Sequence, residues 1–264
     1  MLQKPSRPSQ LRTNSLKKKL DLAPFVVGTF LEIPSPQLIE LLGLAGFDFV
    51  VIDCEHGAID LKDTAQLIRA SLSTEISPLV RVPTCEPVAV RQPLDMGAVG
   101  IHVPQIGSAA MAQLAVRSAK FFPKGERGLQ PFVRAASYHS YSTSDYLNAA
   151  NEDTAIVLHL EGTRGVSSID EIFKVEGFDV AFLGPYDLSQ SLGIPGQVKD
   201  PRILATMREM VQKAQPVGVR IGTYCDDVET ALEYRELGVT YLTISIDAFI
   251  FLSSARDMVS RLKG

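Results

Sequence analysis

The sequence of 264 residues contains no tryptophan, only three cysteines and no long apolar run. Cys54, Cys85 and Cys225 lie far apart and form no CxxC pair, so we expect neither a disulfide framework nor a thiolate zinc site. No stretch approaches about 18 uncharged apolar residues, which argues against a membrane-spanning helix. With 45% hydrophobic and 21% charged residues, the composition is ordinary for a folded globular protein. The three scattered cysteines fit the reducing cytoplasm best.

Acidic residues are missing from the first 20 positions, which hold six of the 26 basic side chains. All 30 acidic residues therefore follow, and this acidic body argues against a nucleic-acid partner, because phosphate binding needs the opposite sign. We interpret residues 1–20 as a basic tail with a short helix at Leu11–Leu20, and residues 21–264 as one domain. Organellar targeting by the basic N-terminus remains an alternative.

Short apolar runs alternate with helical patterns through this domain. The eight predicted strands are Phe25–Phe30, Phe49–Ile52, Pro78–Val82, Val99–Val103, Ala155–Leu160, Asp179–Leu183, Val219–Thr223 and Thr240–Ser245. The predicted helices are Pro36–Ala45 (capped by Ser35), Leu61–Ser73, Glu86–Met96, Ser108–Ala119, Ser142–Ala150, Ser168–Phe173, Pro201–Gln215, Asp226–Leu237 and Ala248–Leu262. Nearly continuous apolar strands are expected in a parallel sheet that is covered on both faces.

Eight such units in about 240 residues predict an α/β fold of the closed (β/α)8 TIM-barrel type. An open, doubly wound sheet is the alternative, but no GxGxxG follows the first strand. The connection from Ala119 to Ala155 is too long for a simple turn, and we expect it to be functional or to reach a neighbouring subunit.

Catalytic groups of this fold gather at the carboxyl ends of the strands. Glu161 follows the fifth predicted strand and Asp187 the sixth. Two carboxylates without thiolates suit a hard divalent cation such as Mg²⁺ or Mn²⁺. Each alone is also compatible with a helix cap or a solvated loop position.

Three further residues at this edge are candidates for chemistry. Arg81 needs an anionic partner, which is either a rim carboxylate or the carboxylate of a substrate. His56 is a candidate general base, and Asp53 or Glu55 is placed to orient it. We interpret His102 as a packed core residue. The predicted strands contain no lysine, which disfavours a Schiff-base mechanism.

These residue types together suggest binding of a 2-oxo acid. A cation and Arg81 would chelate the acid and stabilise the enolate that forms when a bond at C3 breaks.

Five segments resemble the HpcH/HpaI aldolases, which are metal-dependent 4-hydroxy-2-oxo-acid aldolases. They are Ala45–Gly57, Leu79–Pro83, Leu94–Ala98, Pro123–Gly128 and Leu183–Ser189. The resemblance runs in unbroken order from about Leu16 to the C-terminus. It implies reversible cleavage of a 4-hydroxy-2-oxo acid to pyruvate and an aldehyde.

The resemblance also implies roles for individual residues. Glu161 and Asp187 match the metal ligands, with Mg²⁺, Mn²⁺ or Co²⁺ as the cofactor. Arg81 matches the arginine that binds pyruvate, and His56 with Asp53 matches the base. Asp95 matches an acid that reaches a neighbouring subunit, since the family is hexameric, a trimer of dimers whose last helix packs on a neighbour.

The sequence departs from the family pattern near the expected metal. His159 replaces a glutamine, and we expect it to contact the oxo acid or the metal. Gly162 stands where threonine or serine is common, and Tyr186 stands where a small residue is common. Gly184 and Tyr186 are expected beside the substrate. These departures leave a related lyase, such as an oxaloacetate decarboxylase, and a non-catalytic 2-oxo-acid-binding barrel as alternatives.

Overall fold

The computed structural model describes residues 15–264, and eight parallel strands within this range form a closed barrel. The strands are β1 (Val26–Leu31), β2 (Phe49–Asp53), β3 (Ser77–Arg81), β4 (Gly100–Val103), β5 (Ala155–His159), β6 (Val180–Leu183), β7 (Arg220–Cys225) and β8 (Tyr241–Ile246). Each pairs with the next along the chain, and β8 pairs with β1. The predicted (β/α)8 barrel is confirmed, with each strand within two residues of its expected bounds.

α-Helices surround the barrel or close its ends. They are α1 (Ser15–Leu22), α2 (Pro36–Leu44), α3 (Leu61–Ala70), α4 (Pro87–Met96), α5 (Ala109–Ala119), α6 (Thr143–Asp153), α7 (Thr163–Ser167), α8 (Ile169–Ile172), α9 (Pro185–Ser191), α10 (Pro201–Ala214), α11 (Val228–Glu236) and α12 (Asp247–Lys263). Side-chain caps begin several of them. Ser108 accepts a hydrogen bond from the backbone amide of Met111, and Asp60 from that of Asp63.

Three helix predictions need correction. The helix expected at Ser168–Phe173 is two short helices that begin at Thr163, because Gly162 already has the extended backbone of an N-cap. No helix was predicted between the sixth strand and Pro201, and the structure has α9 there, which Pro185 starts at its first position. Ser35 precedes α2 but makes no side-chain cap. Positions 11–14 of the expected N-terminal helix lie outside the described residues.

Helix α1 closes the end of the barrel where the strands begin, which we call the lower end. Leu16 and Leu20 are buried in the barrel interior with residues such as Val26 and Phe49. Two lysines of α1 reach carboxylates at the starts of strands: Lys19 lies 2.5 Å from Asp48, and Lys17 pairs with Asp179. The lower end is therefore sealed by apolar side chains that ion pairs hold in place.

Large rings fill the interior above this seal. Phe49 and Tyr241 stack with their ring centroids 4.2 Å apart. Gly28 leaves the room for Phe49, because a Cβ at this position would lie 2.3 Å from the ring. The barrel is thus a packed core rather than a pore, as this fold requires.

The long connection between α5 and β5 forms a small cluster of its own around Phe121, Ala136 and Tyr146. Lys120 is buried beneath it and donates to the carbonyl oxygens of Asn151 and Thr154, which end α6. Burial lowers the pKa of Lys120 to about 8. In the part of the chain that the structure describes, no helix has the length and apolarity needed to cross a membrane.

Candidate active site

The carboxyl ends of the strands form the opposite end of the barrel, which we call the upper rim. Asp53 ends β2 and Arg81 ends β3, and the two are direct partners in the strand register. Glu161 follows β5 by two residues, and Asp187 is the third residue of α9, directly after β6. The fold therefore brings four of the predicted site residues to one rim.

Arg81 and Asp53 form a two-pronged ion pair. Arg81 Nε donates to Asp53 Oδ1 at 2.9 Å, and Arg81 Nη2 donates to Asp53 Oδ2 at 2.5 Å. Burial acts to raise the pKa of Asp53, but the bonds from Arg81 and from the backbone amides of Glu55 and His56 outweigh it and lower that pKa. Asp53 does not use Nη1 of Arg81, which lies 3.3 Å from Glu55 Oε2 without a hydrogen bond to it.

Glu161 is buried and held at both oxygens. Oε1 accepts a 2.7 Å hydrogen bond from the backbone amide of Gln105, and Oε2 lies 3.2 Å from His159 Nδ1. Burial acts to raise the pKa of Glu161, and these bonds together with the positive charge of Arg81 lower it overall. The carboxylate is thus fixed in its ionised form.

Asp187 faces the same point as Glu161. A Cβ added to Gly184 would lie 3.0 Å from Glu161 Oε2 and 3.8 Å from Asp187 Oδ2, so both oxygens converge beside Gly184. The same Cβ would lie 2.7 Å from Glu161 Cβ, which explains why this position is a glycine. Burial and the negative charge of Glu161 raise the pKa of Asp187.

This convergence fits a divalent cation. The repulsion that raises the pKa of Asp187 is what a cation between the two carboxylates would remove. Within residues 15–264 no group of three or more His, Cys, Asp and Glu side chains is arranged to hold a metal ion. Two carboxylates suit a hard ion such as Mg²⁺, which keeps several water ligands and is bound by one or two carboxylates plus substrate oxygens.

His56 lies at the edge of this rim, with its side chain 62% exposed. Its Nε2 is 4.0 Å from Glu55 Oε2, whereas Asp53 contacts only the backbone amide of His56. Of the two acids that the sequence proposed to orient the ring, Glu55 is therefore the one beside it. Burial raises the pKa of Glu55, and its Oε2 accepts no hydrogen bond although Arg81 Nη1 lies 3.3 Å away.

Two predicted substrate contacts stay predictions, and the structure shows what these side chains touch. Both ring nitrogens of His159, which was expected to touch the oxo acid or the metal, are engaged, one by Glu161 and the other by His102 at 2.9 Å. Tyr186 lies on the β7 side of the rim. There its hydroxyl donates to Asp226 at 2.8 Å, and its ring packs against Tyr224.

Asp95 lies at the end of α4, near the start of β4 and so at the lower end of this chain. Its carboxylate accepts from Arg127 at 2.7 Å and from Arg91 at 3.3 Å. A cavity of about 350 Å³, lined in part by Arg127 and Arg134, lies in the same region. Asp95 is therefore not grouped with the rim residues of its own chain, and its contact with a neighbouring subunit stays a prediction.

Sequence reasoning missed four contacts that support the rim, although it had named Glu55 as a candidate to orient His56. They are Glu55 beside Arg81, the backbone amide of Gln105 on Glu161, and His102 and Tyr241 beneath His159. His102 was correctly predicted to be buried, but only the strand register reveals that it meets His159. Alternation along β4 and β5 could have placed both rings in the barrel interior.

The fold and the rim define an enzyme of the (β/α)8-barrel class, with its chemistry at the carboxyl ends of the strands. The profile of the HpcH/HpaI aldolase/citrate lyase family matches residues 27–254. The chain belongs to this family.

Individual relatives agree over nearly the whole length. The hydroxypyruvate/pyruvate aldolase of Pseudomonas aeruginosa is 31% identical, over 96% of this chain and 94% of that protein. The 2-dehydro-3,6-dideoxy-6-sulfogluconate aldolase of Pseudomonas putida is 32% identical, over 90% of this chain and 92% of that protein. The crystal structure of a family member from Burkholderia cenocepacia has a TM-score of 0.90 at 34% identity, covering 96% of this chain and 100% of that chain. The protein is an aldolase, a carbon–carbon lyase.

Proposed function

We propose that this aldolase depends on a divalent cation and reversibly cleaves a 4-hydroxy-2-oxo acid to pyruvate and an aldehyde. The observation that carries the proposal is the convergence of Glu161 and Asp187 beside Gly184, on the same rim as Arg81. Glu161 and Asp187 would hold Mg²⁺, Mn²⁺ or Co²⁺, and the bound ion supplies Lewis-acid stabilisation of negative charge on the 2-oxo group. The name of the relative from Pseudomonas aeruginosa, a hydroxypyruvate/pyruvate aldolase, agrees with pyruvate as one product of the cleavage.

Arg81 binds the substrate carboxylate. Its Nε and one Nη2 hydrogen are used by Asp53, so the remaining Nη hydrogens can form two parallel bonds to an incoming anion that displaces the 3.3 Å ion pair of Nη1 with Glu55. Asp53 keeps the guanidinium plane fixed, and Phe30 supports its face, with the ring centroid 4.7 Å from Cζ. Arg81 is thus preorganised for an anion whose charge grows during the reaction.

His56 acts as the base. In cleavage its imidazole removes the proton from the C4 hydroxyl, the C3–C4 bond breaks, and the bonding electrons pass into the pyruvate enolate while the aldehyde departs. The enolate then takes a proton at C3 to give pyruvate. The exposure of His56 leaves it open to a substrate that enters from solvent.

Exchange of the methyl protons of pyruvate with D₂O tests enolate formation without knowledge of the aldehyde. We expect exchange, followed by NMR, that stops when a chelator removes all divalent ions and returns when Mg²⁺ is added. Exchange that persists at full rate after complete metal removal would contradict the proposal. Release of carbon dioxide from oxaloacetate without an aldehyde product would identify the decarboxylase alternative.

The Arg81→Lys variant tests the role of the fork. Loss of the two parallel bonds should cost about 3 kcal/mol of transition-state stabilisation, roughly a hundredfold in kcat/KM. Arg202→Lys is the matched control, because Arg202 also grips one carboxylate, that of Asp200, with two nitrogens but does so on the exposed surface. A similar loss in both variants would argue against a specific role for Arg81.

We also propose assembly into a hexamer, a trimer of dimers, through α12. This helix exposes large apolar side chains, including Phe251 at 72% and Leu262 at 87% exposure, which a second copy of the chain would cover. Phe251→Glu with Leu262→Glu should lower the mass measured by light scattering; an unchanged mass would argue against this contact. Free Cys54, Cys85 and Cys225 agree with action in the cytoplasm.

A further inference from the structure

Beneath Glu161, three buried side chains form a continuous hydrogen-bonded chain into the barrel interior. The hydroxyl of Tyr241 lies 2.7 Å from His102 Nε2, and His102 Nδ1 lies 2.9 Å from His159 Nε2. His159 Nδ1 then lies 3.2 Å from Glu161 Oε2. Tyr241, His102 and His159 are all at most 1% exposed, so water does not substitute for any of these partners.

Only one arrangement of protons satisfies this chain when the two imidazoles are neutral. The ionised Glu161 can only accept, so His159 must carry its proton on Nδ1 and accept at Nε2. His102 must therefore donate from Nδ1 and accept at Nε2, and the hydroxyl of Tyr241 supplies the last donor. Burial lowers the pKa of His102 well below its usual value and raises that of Tyr241 well above, which keeps both groups neutral.

The rings are also fixed in orientation. His159 stacks on Phe182 with ring centroids 4.4 Å apart and an angle of 20° between the planes. His102 meets the rings of Phe30 and Phe182 edge-on. This packing opposes a turn of either imidazole. The positions of the protons, rather than those of the rings, therefore decide whether His159 Nδ1 donates to Glu161 or presents a lone pair to it.

Without the tyrosine hydroxyl, the opposite pattern becomes accessible. His102 would carry its proton on Nε2 and accept at Nδ1, and His159 would donate from Nε2. His159 Nδ1 would then present a lone pair to Glu161 Oε2, and the carboxylate would lose the bond that holds this oxygen. The hydroxyl of Tyr241 therefore reinforces, through two rings, the proton pattern that the ionised Glu161 selects.

We propose that His102 and Tyr241 are positioning residues of the cation site, which fix the proton of His159 on Nδ1 and thereby orient Glu161 for the ion. The effect on the ion rests on the proposed function, whereas the proton pattern does not. Partners that orient a metal ligand from behind are commonly worth a factor of 10 to 100 in metal affinity.

Two measurements on chelator-treated protein test the proposal. Nitrogen-15 NMR of labelled histidines should show His102 and His159 protonated at Nδ1 and bare at Nε2. Titration with Mn²⁺ alone, followed by EPR, should show at least about tenfold weaker binding in Tyr241→Phe. Tyr234→Phe is the control, because Tyr234 is an equally buried tyrosine whose hydroxyl meets the carbonyl of Val198 away from the site. It should keep native affinity.

The same tyrosine substitution in a His159→Gln variant separates the effect of proton position from that of a packing defect. In His159→Gln the side-chain amide can turn to donate to Glu161 whichever way His102 is protonated. Adding Tyr241→Phe to this background should no longer weaken Mn²⁺ binding, whereas a packing defect would persist in it.

Three results would overturn the inference. They are a proton on Nε2 of His159 in the native spectrum, native Mn²⁺ affinity in Tyr241→Phe, and an equal loss of affinity in both backgrounds. Absence of Mn²⁺ binding by the native protein would instead overturn the proposed function and the cation half of this inference, and the spectrum would still report the proton pattern.

Discussion

The two ends of the barrel use acidic residues in opposite ways. At the lower end, Asp48 and Asp179 each pair with a lysine of α1 and each also accept a backbone amide, that of Val27 or Ile156. The upper rim gathers more acids than cations: Glu32, Asp53, Glu55, Glu161 and Asp187 surround Arg81.

The surplus of acids at the rim affects the pKa values of two of them. Burial, followed by the charges of nearby carboxylates, raises the pKa of Glu32 and of Asp187. A surplus of buried negative charge lowers stability unless something positive is bound. We conclude that the paired acids of the lower end stabilise the fold. The acids of the rim outnumber their positive partners, and the proposed cation would supply the missing positive charge.

Glu161→Gln should have the largest effect and should separate the two ends most sharply. We expect Mn²⁺ binding and methyl-proton exchange to fall by at least about a thousandfold, since the proposed ion would contribute several kcal/mol. The metal-free variant should unfold at a modestly lower temperature than the native protein, because the lowered pKa of Glu161 means that its ionised form stabilises the fold, while the lost repulsion with Asp187 offsets part of this. Asp179→Asn at the lower end should lower the unfolding temperature and leave exchange intact. A Glu161→Gln variant with native Mn²⁺ affinity would break the comparison.

Leu16→Ala should have the next largest effect, on stability alone. Leu16 is fully buried in the seal below the barrel, so its truncation should lower the free energy of unfolding by about 2–5 kcal/mol. Urea unfolding measures this loss, and kcat/KM should stay native under conditions where the variant is folded. Leu22→Ala is the control on the same helix, since Leu22 is 84% exposed. Equal losses in both variants would show that the helix, rather than the seal, is weakened.

Glu32→Gln should have a smaller, pH-dependent effect. Burial first, then Asp53 and Asp247, raises the pKa of Glu32 in the folded protein. A raised folded pKa means that the ionised form opposes folding above that pKa and that nothing is lost below the unfolded value of about 4.3. The metal-free variant should therefore melt higher than the native protein near pH 8, and the gain should vanish as the pH falls toward about 4.

The surface variant Glu40→Gln provides the comparison for this titration. Glu40 is exposed on α2, away from the rim acids. Two results would contradict an excess of negative charge at the rim. One is a rise in unfolding temperature for Glu32→Gln that grows as the pH falls, and the other is an equal rise for Glu40→Gln at every pH.

The sequence predicted the barrel and most of the rim, because strand periodicity and strand ends are local properties. Glu161, Asp187, Arg81 and Asp53 could be placed at one edge since each follows a buried apolar run. The partners of these groups could not be predicted. That Glu55 rather than Asp53 lies beside the ring of His56 depends on the turn after β2, and turn geometry leaves little trace in composition.

The hydrogen-bonded chain behind Glu161 was hidden for a different reason. His102 and His159 are 57 positions apart along the chain, and their contact follows from the register of β4 against β5. Pattern reasoning identifies the face of a strand but not its offset against a neighbour. The backbone amide that holds Glu161 is a still finer detail, since it depends on the conformation of one residue, Gln105.

Substitution of Gln105 should have the smallest effect on stability among these variants, and it tests how the backbone holds Glu161. It has a left-handed backbone, with φ of 56°, and this conformation directs its amide at Glu161 Oε1. Its side chain reaches Glu55 only at 3.5 Å. Gln105→Gly and Gln105→Ala remove the same side chain, but only glycine adopts this conformation without strain. The glycine variant should therefore be more stable than the alanine variant by about 1 kcal/mol in urea unfolding.

Both Gln105 variants should keep native Mn²⁺ affinity, because the backbone donor to Glu161 survives in each. An equal loss of affinity in the two would assign the effect to the side-chain contact with Glu55. A loss confined to alanine would mean that strain had displaced the amide. Retained affinity in both, with the stability difference, would support the backbone amide of Gln105 as a holder of Glu161 that needs no glutamine side chain, whereas at the lower end lysine side chains add to the backbone amides that hold Asp48 and Asp179.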